Sequence, residues 1–332
     1  TDDTEEAYAT GTAELYNPDT MQFTTLAKGL TTERAFHEAV LLPSPPQGPY
    51  EVLVLGGVSP ETNGNAAFRL KAGSTAYPFL VSPHEKAQAA GASLVTITPS
   101  TSGGAATLAD KPLTGLPKMM FPRVAVAPDG KQLVVAGGAS AYTATGASVG
   151  FTQATAAVLI PLKSAAERGG KDPAAVAQTA LSRTRVGHAM AALGDNTYAV
   201  LGGTMDGPGP CGTPPQTGCD SDWEKKNAGE LITAGTGGAS AKLMTFSGGT
   251  PEASAWHTLT PLGIKDGQTT APKKILLAGG FLLGREGDKL RSVNTQTPKT
   301  YPLMLLTEGA PVTVSAINYS PPNAFKGAGY HA

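Results

Sequence analysis

Val52-Leu53-Val54-Leu55-Gly56-Gly57 decides the fold reading, because the chain writes this phrase four times. It returns as Leu133-Val134-Val135-Ala136-Gly137-Gly138, as Tyr198-Ala199-Val200-Leu201-Gly202-Gly203 and as Ile275-Leu276-Leu277-Ala278-Gly279-Gly280. Four apolar residues in a row, bounded by glycine, describe a buried strand. Recurrence of one such phrase marks a repeat architecture, in which each unit covers its apolar faces with its neighbours. The second glycines, at 57, 138, 203 and 280, stand 81, 65 and 77 residues apart.

Working outward, each phrase is preceded by a second strand and a turn. Val124-Ala125-Val126-Ala127 leads to Asp129-Gly130, and Ala189 to Leu193 leads to Gly194-Asp195-Asn196. Both turns are tight hairpin signals. Further strands follow each phrase, at Leu94–Thr98 and Ala157–Leu162. Ala13–Tyr16 and Gln22–Leu26 flank Asn17-Pro18-Asp19-Thr20 as a strand, a turn and a strand, and Ala241–Phe246 with Ala255–Leu259 repeats that shape. Two stretches between units, Ser82–Ala90 and Asp172–Leu181, read as short helices. Asp172-Pro173 supplies a cap followed by proline at the first helical position.

Composition agrees with many short strands. Of 332 residues only 15% are charged, while 41 are Gly and 27 are Pro. The formal net charge is −1, and no stretch forms a basic stripe with interleaved aromatics. Nucleic-acid binding and electrostatic membrane binding are excluded on that ground. No apolar run approaches the ~20 residues needed to span a bilayer. The chain opens on Thr1 without a charged and then apolar leader, which reads as a processed or partial product. Its Ala/Thr/Gly-rich, lysine-poor composition points to a bacterial source.

The two cysteines, Cys211 and Cys219, are separated by seven residues in one Gly- and Pro-rich insertion, 204–229. A local disulfide is geometrically easy there and would hold a loop that has no core of its own. Two free thiols are the alternative, and exposed thiols are a liability. The disulfide reading implies an oxidising, extracytoplasmic location: secreted, periplasmic or cell-surface. Directly after Cys219 comes Asp220-Ser221-Asp222-Trp223-Glu224. On an extended segment Asp220, Asp222 and Glu224 fall on one side, where hard oxygen ligands suit Ca²⁺. The competing reading, a solvated acidic tip, is favoured by the missing EF-hand spacing. Trp223 is then the interface candidate, since exposed aromatics anchor partners.

The phrase and its neighbours resemble the kelch repeat. In that motif Arg and His precede the first strand, Gly-Gly ends the second, and a Tyr is followed by a Trp about seven residues later. Glu33-Arg34-Ala35-Phe36-His37 precedes Val40-Leu41-Leu42 and Gly56-Gly57, and Thr184-Arg185-Val186-Gly187-His188 precedes Ala191-Ala192-Leu193 and Gly202-Gly203. Tyr16 and Phe23 keep the Tyr-to-Trp spacing, and Trp256 holds a Trp place. Three departures stand out. The second unit offers Arg123 but no His, the fourth lacks an Arg-His strand in Gly263–Lys274, and the intervals exceed the roughly 50 residues usual for kelch.

The resemblance implies an all-β, kelch-like β-propeller spanning 1–332 as one domain. It implies four units plus a composite closing blade, in which 1–28 pairs with a strand at Pro311–Ile317. It makes Gly56, Gly57, Gly137, Gly138, Gly202, Gly203, Gly279 and Gly280 points of close approach between blades. It makes Arg34, His37, Arg185 and His188 structural groups that reach carbonyls of the adjacent blade, and it sends the aromatics into the gaps between blades.

Such folds are scaffolds whose activity sits in loops. The sequence holds no His-x-x-x-His pair, no Gly-x-Ser-x-Gly elbow and no phosphate loop. The reading is therefore a non-enzymatic scaffold that binds a protein or glycan partner, with no cofactor beyond the Ca²⁺ candidate, as a subunit of a larger extracellular or envelope assembly. The alternative is an extracellular, carbohydrate-active copper oxidase of the galactose-oxidase type. Function is expected in the insertions Ser59–Gln88, Ala139–Gln153 and Thr204–Gly229, because long loops in a compact repeat fold are usually functional or disordered.

Overall fold

In the computed structural model every described element is a β-strand. The structure describes residues 4–72, 79–83, 86–100, 105–145, 148–153, 156–182, 185–194, 196–203, 229–235, 238–247, 254–255, 257–262, 274–278, 281–286, 289–292, 304–307 and 312–316. Two compact units interleave in sequence: 1–122 with 139–153 and 161–175, and 123–138 with 154–160 and 176–332. Among the described residues no helix is long and apolar enough to cross a membrane.

The first unit contains sheet I, an antiparallel meander of Glu38–Leu41, Tyr50–Leu55, Ser93–Thr98 and Thr107–Pro112. Leu26, Val54, Val95 and Leu108 form its core, and Ala13, Leu15 and Leu30 pack against them. The N-terminal ribbon, Glu14–Asn17 paired with Gln22–Thr25, therefore lays its Leu15 face on this sheet. Asn17 fixes the ribbon's turn, because its Oδ1 accepts the amides of Asp19 and Thr20 at 2.9 and 3.3 Å.

The connection between the second and third strands of sheet I is itself β-structure. Val58–Pro60 and Ala87–Ala89 join Ala139–Thr145 and Ser148–Gln153 in one four-stranded sheet. Ala66–Ala72 pairs with Thr4–Tyr8 and Phe79–Pro83 in another of three strands. The segment 161–175 is tied to sheet I by ion pairs. Arg168 meets Glu51 at 2.7 Å, largely out of solvent, and Lys111 meets Asp172 at 2.7 Å in the open.

Among its described residues the second unit holds a small three-stranded sheet, Ser254–Ala255 with Phe281–Glu286 and Lys289–Ser292, and three meander sheets. Sheet II is Arg123–Val126, Gln132–Ala136, Ala156–Pro161 and Ala177–Ala180. Sheet III is Ala189–Gly194, Thr197–Leu201, Gly229–Gly235 and Gly238–Leu243. Sheet IV is Thr258–Leu262, Lys274–Ala278, Met304–Thr307 and Val312–Ala316, with Phe246–Ser247 added parallel to Val312–Thr313. The first strands of the three sheets lie side by side.

Strand alternation explains the unbroken apolar runs. Met190, Ala192, Tyr198 and Val200 face a core shared with Val134, Ala136 and Leu159 of sheet II. Their neighbours Ala191, Leu193, Ala199 and Leu201 face Ile275, Leu277 and Leu306 of sheet IV. Sheet III is thus covered on both faces, and successive residues serve opposite cores. Full burial of one large apolar side chain contributes roughly 1.5–3 kcal/mol.

Four expectations are corrected. Ser82–Ala90 and Asp172–Leu181 are not helices. The described residues there include strands ending at Pro83, spanning Ala87–Ala89 and spanning Ala177–Ala180. Asp172 caps nothing and pairs with Lys111, while Ala177 packs into the sheet II core, where strand pairing satisfies its backbone. Ala241–Phe246 and Ala255–Leu259 do not make one hairpin. The first region holds the outer strand of sheet III and the second leads into the first strand of sheet IV. Val312–Ala316 is not the inner strand of a composite closing blade with 1–28. Its two edges are taken by Met304–Thr307 and Phe246–Ser247, and the N-terminal ribbon is a separate two-stranded sheet. The aromatics Tyr16 and Phe23 are not buried in a gap. Their rings stand 4.9 Å apart on the ribbon's outward face, 51% and 67% exposed.

Candidate functional site

Polar chemistry in the described residues gathers where a glycine pair meets the segment ahead of a first strand. Arg34 and Arg185 each stand four residues before such a strand, and both are buried. Arg34 Nη1 donates to the carbonyls of Gly56 (3.1 Å) and Gly91 (2.6 Å), and Nη2 donates to Ser93 Oγ (3.2 Å). Arg185 Nη1 donates to the Gly202 carbonyl (2.9 Å), while Nε and Nη2 reach Glu230 Oε1 at 3.2 and 3.1 Å. The other carboxylate oxygen of Glu230 accepts the Ser182 amide at 2.7 Å.

Each arginine thereby bonds within its own sheet. It joins the first glycine to the third strand. Its third-strand partners are equivalent: Ser93 lies opposite Val54, and Glu230 lies opposite Val200, both two residues ahead of the first glycine. Sequence reasoning missed Ser93 and Glu230. Only strand register brings them to the arginines, across 59 and 45 residues.

The histidine does cross between sheets. His188 Nε2 donates to the Ala136 carbonyl of sheet II at 3.1 Å. Beside it, the Gly138 amide donates to the Arg185 carbonyl (2.7 Å) and Arg123 Nε donates to the His188 carbonyl (3.2 Å). Glycine is required at 137, because a Cβ there would lie 2.3 Å from the imidazole, and φ is +68°. Sheet IV repeats the bond. His257, 3% exposed and immediately ahead of the first strand, bonds the carbonyl of Leu201, the residue before Gly202. The fourth unit therefore has its histidine at 257, ahead of the Gly263–Lys274 stretch.

The second unit is also corrected. Arg123 begins the strand itself, so Met119 and Pro122 stand in the Arg and His places. The Gly57 amide donates to the Met119 carbonyl at 2.8 Å, as Gly138 does to Arg185. A Cβ on Gly56 would lie 2.8 Å from the Pro122 ring, as one on Gly137 would meet His188. The residue before the His place is left-handed in three units: φ is +56° at Phe36, +51° at Phe121 and +71° at Gly187. A non-glycine residue there costs about 1–2 kcal/mol. Packing of Phe36 on Phe121 (5.1 Å) and Phe68 (5.4 Å) offsets part of that cost.

Burial shapes the titration of these groups. It pushes His188 down to about 3, and the neighbouring Arg185 and Arg123 add to the effect. It pushes His257 down to about 4, again with Arg123 contributing. His37 is lowered by burial and then by Arg34, and Arg34 is lowered by burial against the partial support of Asp110. Both deeply buried imidazoles are therefore neutral near pH 7.

Cys211, Cys219, Asp220, Asp222, Trp223, Glu224, Gly279 and Gly280 lie outside the described residues. The base of the 204–229 insertion is described: Leu201 and Gly229 are directly opposed in sheet III, and a Cβ on Gly229 would lie 2.4 Å from Leu201. Among the described residues no three His, Cys, Asp or Glu side chains come together as a metal site requires.

No protein-family model and no curated protein matches the chain. Among solved structures it is similar to one described as "Structure of YjhT", with 13% identity and a TM-score of 0.43, covering 95% of this chain and 83% of that one.

Proposed function

We propose that this chain is a kelch-like β-propeller scaffold of an extracytoplasmic compartment, whose inserted strand connections present a binding surface to a protein or glycan partner. Its four meander sheets serve as blades, and the chain acts by binding, without catalysis. One observation carries the reading. In sheets I, II and IV the second-to-third-strand connection contains an added hairpin or sheet, while in sheet III it is the 204–228 insertion, whose two ends are clamped in one strand pair. Extra chain placed repeatedly at one topological position, on a base held by buried polar bonds, is the arrangement by which a rigid scaffold displays loops.

The test replaces Gly207–Lys226 with a short Gly-Ser linker and measures the melting temperature together with retention of the partner recovered by the unaltered protein. An unchanged melting temperature with lost retention supports the reading. Full retention moves the surface away from this insertion, and collapse of the fold assigns the insertion a structural role.

A further inference from the structure

His188 and His257 are deeply buried imidazoles, 0% and 3% exposed. Each spends a ring N–H on one carbonyl of a neighbouring sheet, Ala136 in sheet II for His188 and Leu201 in sheet III for His257. In His188 the bonded nitrogen is Nε2, so the neutral ring leaves Nδ1 as a bare acceptor. That nitrogen is buried and makes no hydrogen bond. A second proton would therefore place an N–H and a positive charge where nothing accepts them.

The surroundings sharpen the effect. Arg185 acts on His188 from its own segment, Arg123 from the first strand of sheet II, and His257 from the head of sheet IV. Glu230 on the third strand of sheet III is already engaged by Arg185 and the Ser182 amide. His257 in turn feels Arg123. Protonating both rings would gather His188, His257 and Arg123 as neighbouring cations at one junction of three sheets.

We propose that His188 and His257 form a pair of acid-released latches that clamp sheets II, III and IV together at neutral pH and give way together in acid. The latch is a property of the inter-sheet bonds, so it is independent of which partner the loops bind. Its direction follows from linkage. A histidine whose folded-state pKa is depressed keeps its full stabilisation above the unfolded value near 6.5 and loses it as pH falls toward the folded value. The folded values put that loss between pH 6.5 and about 3 for His188, and between pH 6.5 and about 4 for His257.

The experiment compares urea unfolding of the intact chain at pH 7, 6 and 5 with that of His188→Gln, His257→Gln and the double variant. Glutamine keeps an N–H donor but does not titrate, so packing losses shift all pH values alike and cancel in the pH dependence. Between pH 7 and pH 5 each histidine should lower the folded-to-unfolded ratio by about 20-fold, and the pair by about 400-fold. Each single variant should remove its own factor and the double variant both. A pH dependence equal in the wild type and in either single variant would overturn the proposal, so one foldable single variant suffices to test it.

Discussion

Replacing Arg185 with Met should destabilise the protein far more than removing Arg185 and Glu230 together. Both side chains are essentially sealed from solvent, 0% and 1% exposed, with 3.1 Å between charged atoms. The single change leaves a buried carboxylate that still accepts the Ser182 amide but has lost its cation. Breaking a buried pair from one side costs about 3–5 kcal/mol, and the Gly202 carbonyl loses its donor as well, about 1–3 kcal/mol more. The double change Arg185→Met with Glu230→Met removes the stranded charge and replaces it with apolar volume. What remains is the loss of partners for the Gly202 carbonyl and the Ser182 amide, about 1–3 kcal/mol for each group left unsatisfied. The double variant should therefore recover about 2 kcal/mol relative to the single one. Urea rather than guanidinium unfolding at pH 7 reads this, because urea adds no salt to screen the pair. A double variant no more stable than Arg185→Met would refute the reasoning, since it would locate the arginine's contribution in its carbonyl bond and packing.

Gly137→Ala should cost more than 2 kcal/mol, because its Cβ enters the His188 ring, whereas Gly130→Ala, also at φ +68° but with nothing within 4 Å, should cost about 1 kcal/mol; thermal melts separate the two. Asp172→Ala removes an exposed ion pair to Lys111 and should change stability by less than about 1 kcal/mol. A non-reduced digest analysed by mass spectrometry should contain a Cys211–Cys219 linked peptide; recovery of both cysteines alkylated without reduction rejects the extracytoplasmic placement as well. Metal analysis of purified protein should find no stoichiometric copper, and finding it would replace the scaffold reading with the oxidase.

What the sequence disclosed and what it hid have distinct physical causes. The runs before Gly57, Gly138 and Gly203 were legible as buried strands because each is apolar throughout, and the lack of alternation has its cause in cores on both faces, as sheet III shows. Glycine was legible as close approach, and Gly137 against the His188 ring gives that its most direct geometry. The helices failed because local signals such as Asp172-Pro173 report what an isolated segment prefers, while Ala177–Ala180 is fixed by pairing with Ala156–Leu159. Glu230 was invisible for a related reason: no spacing rule links it to Arg185, and only the β-register of sheet III does.

His257 shows the same limit from the other side. In the first three units the second strand follows its partner closely, so the motif stays compact ahead of its glycine pair. In sheet IV, the first strand ends at Leu262 and the second begins only at Lys274, so the histidine lies seventeen positions before the second strand. In sheet III the same separation, from His188 to Thr197, is nine. The invariant is therefore not sequence distance but the carbonyl the ring must reach. That atom is the one ahead of the preceding glycine pair, Ala136 for His188 and Leu201 for His257. Counted from the preceding pair, the two histidines stand almost level, 50 residues after Gly138 and 54 after Gly203. Pro122, 65 residues after Gly57, keeps the place without a ring N–H and contacts Gly56 by packing alone. The junction thus tolerates loss of the bond where a rigid ring still fills the space, which is why the motif reads unevenly along the chain although its geometry recurs.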